Sequence, residues 1–356
     1  MEGHTKKKIN IILPGLGDSG GIQVVKKYKE LMEKDGWDVI IYAPLKAYNL
    51  HRYRSNIKNK IHQIYCTIKT IPDIKRKTEY KWIWKVTNKA IRDADITMAT
   101  LWATAFDVNK LSDAKGEKWH FIQDYEIWDN EAWGKRAYLL PLKKIVISTW
   151  INEQIKRDIG IGPFPVVYNG IDTEVFHKVA CIKDEKKINF LMLNHVLPKK
   201  GVANGLKAFE EVSAKHPNCV LRMFGMCDSS NLPDYVEYHQ NPSKKELVEL
   251  YSMSDIFIFP SIEEGWGLTP LEAMACGCAV VGTSTGFVLD LGKHGENMMV
   301  SVPGNVEGMV ENIESLTNNR NLLEAIKCAG CKTADLRWNE SVQCLSSILT
   351  GITKNK

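Results

Sequence analysis

The sequence predicts an α/β protein made of two doubly wound, Rossmann-like domains that face a central cleft. Its 356 residues are enough for about two domains. Short β-branched segments alternate with longer segments at helical spacing, the pattern of a parallel sheet flanked by helices. The alternation stops in a polar stretch near residue 180 and then restarts. We therefore expect a first domain over 1–178 and a second over 179–337.

Each predicted strand is followed by a helical pattern. In the first domain a helix is expected over 20–34, and the strands are "KINIIL", "WDVIIYA", "DITMAT", "KWHFIQ" and "KIVIS". In the second domain the strands are "INFLML", "VLRMFG", "IFIFP", "AVVG" and "NMMV". The segment 338–356 has apolar residues at helical spacing, and we expect this C-terminal helix to cross back to the first domain.

The composition of the chain argues against several classes of protein. With 44% hydrophobic and 25% charged residues, the chain is of the ordinary globular kind. It has no run of about eighteen apolar residues that would span a membrane. The first apolar run stops at Pro14, so it is interpreted as a strand and not a signal peptide. Nine irregularly spaced cysteines favour reduced thiols in the cytoplasm, and neither Cys276/Cys278 nor Cys328/Cys331 has the neighbours that a zinc site needs.

The positive charge is concentrated in one segment. Residues 46–92 hold thirteen Lys and Arg against Asp73 and Glu79. Five isoleucines there share one helical face: Ile57, Ile61, Ile64, Ile68 and Ile71. One interpretation packs this face on the first domain. The other places it on the anionic inner face of the cell membrane. No nucleic-acid-binding module is recognisable.

Glycines follow the first strand. Gly15, Gly17 and Gly20 have the G-x-G-x-x-G spacing of a dinucleotide-binding turn. No acidic residue ends the second strand to hold a ribose, which argues against that function. Gly20 and Gly21 instead suggest a helix N-terminus that lets backbone amides approach an anionic donor. A tight turn without a ligand is the alternative.

The segment "PSIEEGWGLTPLEAMACGCAVVG", residues 260–282, follows the strand "IFIFP". Thr269, Pro270 and Glu272 have the pattern of a helix start, with Thr269 as N-cap. Such an N-terminus favours an anion in the preceding loop.

These residues carry a resemblance to a known family. Glu264 and Glu272, separated by seven residues within "EGWGLTPLEAMACG", resemble the E-x7-E signature of the family-4 retaining glycosyltransferases, glycosyl transferases group 1, of the GT-B fold. Other segments agree in order along nearly the whole chain: "GGI", "YNGIDTEVF", "LPKKG", "LVELYSMSDIFIFPS" and "HGENMMV".

The resemblance implies roles for the second domain. Glu264 would lie beside the donor sugar, and Glu272 would contact the nucleotide ribose, unless it serves as a capping-box residue. The amides of Gly267, Leu268 and Thr269 would hold the sugar and diphosphate. Two side chains of the loop "NHVLPKKG" would neutralise the diphosphate: Lys200, and His195 where the family usually has an arginine.

The first domain is expected to bind the acceptor. Its candidate residues end two neighbouring strands: Trp102 and Thr104 in "TLWATAF", and Gln123 and Asp124 in "HFIQDYE". These two segments resemble those of a subset of the family that acts on bacterial surface polysaccharides, including rhamnosyltransferase-like members. Asp124 is equally compatible with the N-cap of the following helix.

The resemblance thus implies a retaining, metal-independent glycosyltransferase without a cofactor. A nucleotide-diphosphate sugar is the expected donor, and a lipid-linked or cell-surface glycan precursor is the expected acceptor. The acceptor hydroxyl would attack from the leaving-group face. The alternatives are a soluble transferase or phosphorylase with a small acceptor, and a sugar-nucleotide-binding protein without catalysis.

Overall fold

The computed structural model describes residues 6–15, 20–184 and 186–351. The chain divides into two compact units. The first comprises Met1–Ile147, Ile151–Tyr168 and Asn339–Lys356, and the second comprises Ser148–Trp150 and Asn169–Trp338. Each unit contains one six-stranded parallel sheet.

The sheet of the first unit has the order β3-β2-β1-β4-β5-β6. Its strands are β1 (Lys8–Ile12), β2 (Asp38–Pro44), β3 (Lys81–Ile83), β4 (Ile96–Ala99), β5 (Glu117–Ile122) and β6 (Lys143–Val146). All neighbours pair in parallel. The chain order reverses between β1 and β4, and α/β proteins bind ligands at the carboxyl edge of such a point.

The helices that follow these strands are α1 (Gly20–Lys34), α2 (Asn56–Thr70), α3 (Asp73–Arg76), α4 (Trp102–Asn109), α5 (Glu131–Tyr138) and α6 (Thr149–Ile159). Helix α1 spans the predicted residues 20–34 and buries an apolar face that includes Val25, Tyr28 and Met32. That face packs on the sheet because its apolar residues recur every three to four positions.

The sheet of the second unit has the order β12-β11-β10-β7-β8-β9. Its strands are β7 (Ile188–Leu193), β8 (Cys219–Gly225), β9 (Glu237–Gln240), β10 (Ile256–Phe259), β11 (Ala279–Thr283) and β12 (Met299–Ser301). Strand β10 is buried throughout, as is typical of a central parallel strand covered on both faces. Strands β3 and β9 were not predicted from the sequence, because both are short and lie at sheet edges, where the apolar signal is weak.

The helices of the second unit are α7 (Val202–Ser213), α8 (Lys244–Met253), α9 (Leu268–Ala275), α10 (Val288–Leu291), α11 (Val306–Asn318) and α12 (Arg320–Thr333). The last helix, α13 (Trp338–Thr350), has most of its length in the first unit. There the Trp37 Nε1–H donates to Ser346 Oγ at 3.2 Å, and Ser346 Oγ donates to Asp35 at 3.1 Å.

Within the described ranges, no helix is both long and apolar enough to cross a membrane.

Candidate active site

The predicted catalytic pair meets at the carboxyl edge of the second sheet. Lys200 lies in the loop after β7, Glu264 lies in the loop after β10, and these two strands are neighbours. Lys200 Nζ is 2.5 Å from Glu264 Oε2, and both side chains are mostly buried. An ammonium group is therefore fixed at this edge by a charge-assisted hydrogen bond.

A glycine brings the two loops together. Gly201 has a φ of +64°, and a side chain there would collide with the backbone oxygen of Pro260. The Ile262 N–H also donates to the Lys199 carbonyl at 2.7 Å. Lys200 is thus held by backbone contacts on both sides, which limits the geometries open to its ammonium group.

Helix α9 begins earlier than the sequence predicts. Its N-cap is Gly267, with a φ of +97°, and its first residue is Leu268. The predicted N-cap role of Thr269 is wrong, because the left-handed backbone that Gly267 can adopt starts the helix two residues sooner. Glu272 consequently lies beyond the first turn and is not a capping-box residue. The amides of Leu268 and Thr269 belong to this N-terminus, where the helix dipole favours negative charge.

The loop that follows β11 also holds Glu264 in position. The Glu264 N–H donates to Thr285 Oγ1 at 3.0 Å, and the Phe287 N–H donates to the Trp266 carbonyl at 2.8 Å. Gly286 has a φ of +58°, and a side chain there would collide with the Trp266 oxygen. The contact of Thr285 with Glu264 was not predicted from the sequence. The position of Thr285 after "AVVG", at the end of a predicted strand, was the available signal.

Glu272 lies on α9 and contacts a buried tyrosine. The Tyr251 hydroxyl donates to Glu272 Oε2 at 3.2 Å. Burial raises the pKa of Glu272 to about 7, although the Tyr251 hydrogen bond and the charge of Lys244 act in the opposite direction. This carboxyl group therefore changes its protonation near neutral pH. Tyr251 was missed because nothing in its local sequence separates it from an ordinary core residue.

His195 is partly exposed and precedes the Lys200 loop. Its Nδ1 accepts the Leu197 N–H at 3.0 Å. Burial lowers the pKa of His195, and the charges of Lys200 and Lys199 lower it further. A neutral ring that accepts at Nδ1 carries its proton on Nε2. His195 therefore offers one hydrogen-bond donor and no full charge.

The predicted residues of the first unit form a separate group. The Cβ of a side chain at Gly21 would lie 3.4 Å from Gln123 Oε1, so the start of α1 and the end of β5 are in contact. The Oε1 atom of Gln123 is buried and has no hydrogen-bond partner among the described residues. Gly20 is the first residue of α1, whereas Gly17 of the dinucleotide-like pattern lies outside the described residues.

Asp124 does not cap a helix. Asn130 is the N-cap of α5, and its side chain accepts the Trp133 N–H. The capping alternative for Asp124 is therefore wrong, because six residues separate it from the helix start. Its carboxylate accepts the N–H of Tyr125 at 2.9 Å.

Trp102 and Thr104 are core residues of α4. Trp102 is 2% exposed and Thr104 is fully buried. The Thr104 hydroxyl accepts the N–H groups of Thr100 and Leu101 and donates to the Leu101 carbonyl. Neither side chain is accessible to an acceptor, because both are buried.

A buried histidine–glutamate pair lies beside these residues. His120 Nε2 is 3.2 Å from Glu126 Oε2, and both side chains are buried. Burial raises the pKa of Glu126, against the hydrogen bond from His120. Both residues occur in "HFIQDYE", but their pairing could not be predicted, since alternation along a strand does not reveal which polar residues pair.

The nine cysteines are free thiols. Cys276 and Cys278 are buried, whereas Cys328 and Cys331 are exposed. In the part of the chain that the structure describes, no group of three His, Cys, Asp or Glu side chains is arranged to hold a metal ion.

Solved structures share this architecture. Sucrose-phosphate synthase from Thermosynechococcus elongatus superposes with a TM-score of 0.73 at 14% identity, over 98% of this chain and 99% of that one. Anabaena Alr3699/HepE, solved with UDP-glucose, gives a TM-score of 0.67 at 14% identity, over 97% and 99%. These similarities confirm the predicted GT-B fold.

The second unit matches a known family model. Residues 176–333 match the model of glycosyl transferases group 1. A curated relative, the capsular polysaccharide biosynthesis glycosyltransferase CapM of Staphylococcus aureus, is 25% identical over 215 residues, which are 56% of each protein. The chain spans about half the length, or less, of the first curated relatives it matches.

Proposed function

We propose that the protein transfers a sugar from a nucleotide-diphosphate sugar to an acceptor hydroxyl with retention of configuration. The observation that carries the proposal is the fixed ammonium group of Lys200 at the sheet edge, paired with Glu264, in the unit whose helix N-terminus begins at Gly267. A cation and oriented amides stabilise the charge that develops on a departing diphosphate. UDP-glucose in the HepE structure is consistent with such a donor.

The transfer step involves one bond exchange. The acceptor oxygen bonds to the anomeric carbon on the face from which the diphosphate leaves, and the bond from that carbon to the phosphate oxygen breaks. The departing phosphate oxygen takes the acceptor proton. Lys200 neutralises the diphosphate together with the amides of Leu268 and Thr269, and the Nε2–H of His195 adds one hydrogen bond. Glu264 contacts the donor sugar.

Glu272 is proposed to accept hydrogen bonds from the nucleotide ribose. Its pKa of about 7 makes the acceptor form available above neutral pH, and Tyr251 orients the carboxylate. Because Glu272 is not needed to cap α9, its carboxylate is available for this role.

The acceptor is proposed to bind in the first unit near Gln123 and Asp124. The buried Oε1 of Gln123 supports this assignment, because a buried acceptor atom without a partner costs free energy that a ligand hydroxyl would recover. Gly20 and Gly21 place the N-terminus of α1 beside that atom. Trp102 and Thr104 would then contribute indirectly, as buried residues that fix the start of α4.

A lipid-linked or cell-surface glycan precursor is the proposed acceptor, reached at the cytoplasmic face of a membrane. The name of the CapM relative, with its reference to capsular polysaccharide biosynthesis, supports a glycan product. The basic segment 46–92 supports a surface that meets anionic lipid. This segment argues against a soluble transferase with a small acceptor, because such an enzyme would not need a surface that binds membranes.

The proposal is tested in two stages. Thermal-shift measurements with UDP, GDP and dTDP identify the nucleotide, since a ligand that binds the native state raises the melting temperature. The matching nucleotide sugars are then incubated with glycan and lipid-linked acceptors, with and without EDTA, and the anomeric configuration is assigned by NMR. An inverted product, or activity abolished by EDTA, would contradict the proposal. Binding of a nucleotide sugar without any transfer would favour the non-catalytic alternative.

A further inference from the structure

Helix α2 has its polar side toward the protein. Gln63 donates to the Ala47 carbonyl at 2.7 Å, and Thr67 Oγ1 accepts the Ala47 N–H at 3.0 Å. Asn59, which is buried, makes two hydrogen bonds with the backbone of Tyr53. A surface helix of a globular protein normally buries its apolar side, so α2 is inverted.

The apolar side of α2 faces away from the protein. Its isoleucines, with Ile71 at the C-cap, are 54–73% exposed. The interpretation that this face packs on the first domain is therefore wrong, because polar side chains already occupy that contact. At 3.6 residues per turn, the spacings of four and three keep the isoleucines within about 80° of arc. They are Ile57, Ile61, Ile64, Ile68 and Ile71.

One aromatic residue and several basic residues of α2 border this row. Tyr65 is 60% exposed. Lys60 lies on one side of the row and Lys58 and Lys69 on the other, at the angles an ideal helix gives. Long basic side chains at such positions extend their charges to the lipid headgroups.

Charge distinguishes among the surfaces that could cover the row. From residue 54 to 76 the chain has six basic residues and only Asp73 as an acid. A second copy of the chain would bring these like charges together, and a nucleic acid would leave the isoleucines in water. An anionic bilayer covers the apolar row and neutralises the basic border at once.

We propose that α2 lies in the plane of an anionic membrane, with its isoleucine row inserted at the boundary between headgroups and acyl chains. This surface is independent of the proposed sugar transfer, because none of the proposed donor or acceptor residues lies within it. The proposal assigns the membrane contact to α2. It also states that the isoleucines insert into the bilayer, in addition to the electrostatic attraction of the basic residues.

The test uses the full chain and sedimentation with vesicles of phosphatidylcholine, alone or with phosphatidylglycerol. We expect the protein to bind the anionic vesicles, and we expect salt to weaken this binding by screening the basic residues. Part of the binding should persist at high salt, because salt does not screen the insertion of the isoleucines. The double variant Ile61→Ser/Ile64→Ser should bind about 100-fold more weakly, at roughly tenfold for each isoleucine. Ile182→Ser is the matched control, because Ile182 is 99% exposed in the second unit, and it should bind like the parent.

Exposed isoleucines contribute little to the core, so the double variant should keep the parent's circular dichroism and melting temperature. A Lys58→Glu/Lys69→Glu variant should also lose binding, chiefly the salt-sensitive part. Equal binding to neutral vesicles would overturn the proposal, as would a double variant that binds like the parent. A parent dimer in light scattering that becomes a monomer in the double variant would assign the row to a second copy and overturn it as well.

Discussion

Replacing Lys200 with alanine tests the proposed donor site most directly. Its ammonium group is 2.5 Å from Glu264 and mostly buried, so solvent offers little replacement for the charge. A charge-assisted hydrogen bond contributes about 1.5–3 kcal/mol. If that bond is made to the departing diphosphate in the transition state, Lys200→Ala lowers kcat/KM roughly 10- to 150-fold.

The assay is initial-rate kinetics with the nucleotide sugar that gives the largest thermal shift. Lys207→Ala is the matched control, because Lys207 is an exposed lysine of α7 in the same unit. It should retain the parental kcat/KM. Lys200→Arg keeps the charge with a different shape and should lose less activity than Lys200→Ala.

The same substitution in a Glu264→Gln variant distinguishes a direct contact of Lys200 with the diphosphate from a role in positioning Glu264. If Lys200 only positions Glu264, its removal from a Glu264→Gln variant costs nothing further. We expect a further loss in that background, since the diphosphate still loses its cation. The reasoning would be refuted by a kcat/KM of Lys200→Ala equal to that of Lys207→Ala, or by the absence of any further loss in the Glu264→Gln background.

Three other outcomes follow from the second unit. Because the folded pKa of Glu272 is raised to about 7 from 4.5, its contribution to the free energy of unfolding is present below pH 4.5 and is lost as pH rises to 7. Its size is at most about 3 kcal/mol, and Glu272→Gln should remove this dependence in urea melts at pH 5 and 7.5. Gly201→Ala should lower the melting temperature more than Gly295→Ala, since both glycines have positive φ but only a side chain at Gly201 meets a neighbouring backbone. Asp255 accepts hydrogen bonds from two lysines, one of them the buried Lys327, so Asp255→Ala should cost about 3–5 kcal/mol in denaturant unfolding; a loss below 1 kcal/mol would contradict that.

The sequence by itself determined the architecture. Alternating apolar strands and helical patterns predicted both parallel sheets, and the predicted span of α1 coincides with the observed Gly20–Lys34. The ordered motifs around Glu264 and Glu272 predicted the family whose model matches residues 176–333. Such features are local, because periodicity and motif spacing are written along the chain.

Tertiary structure decided which side chains meet. Lys200 and Glu264 are 64 residues apart in sequence, and only the adjacency of β7 and β10 makes them a pair. The start of α9 at Gly267 depends on a positive φ that propensity rules do not reveal. The outward isoleucine row of α2 is the strongest case, because a helical pattern shows that residues share a face but not which way that face points.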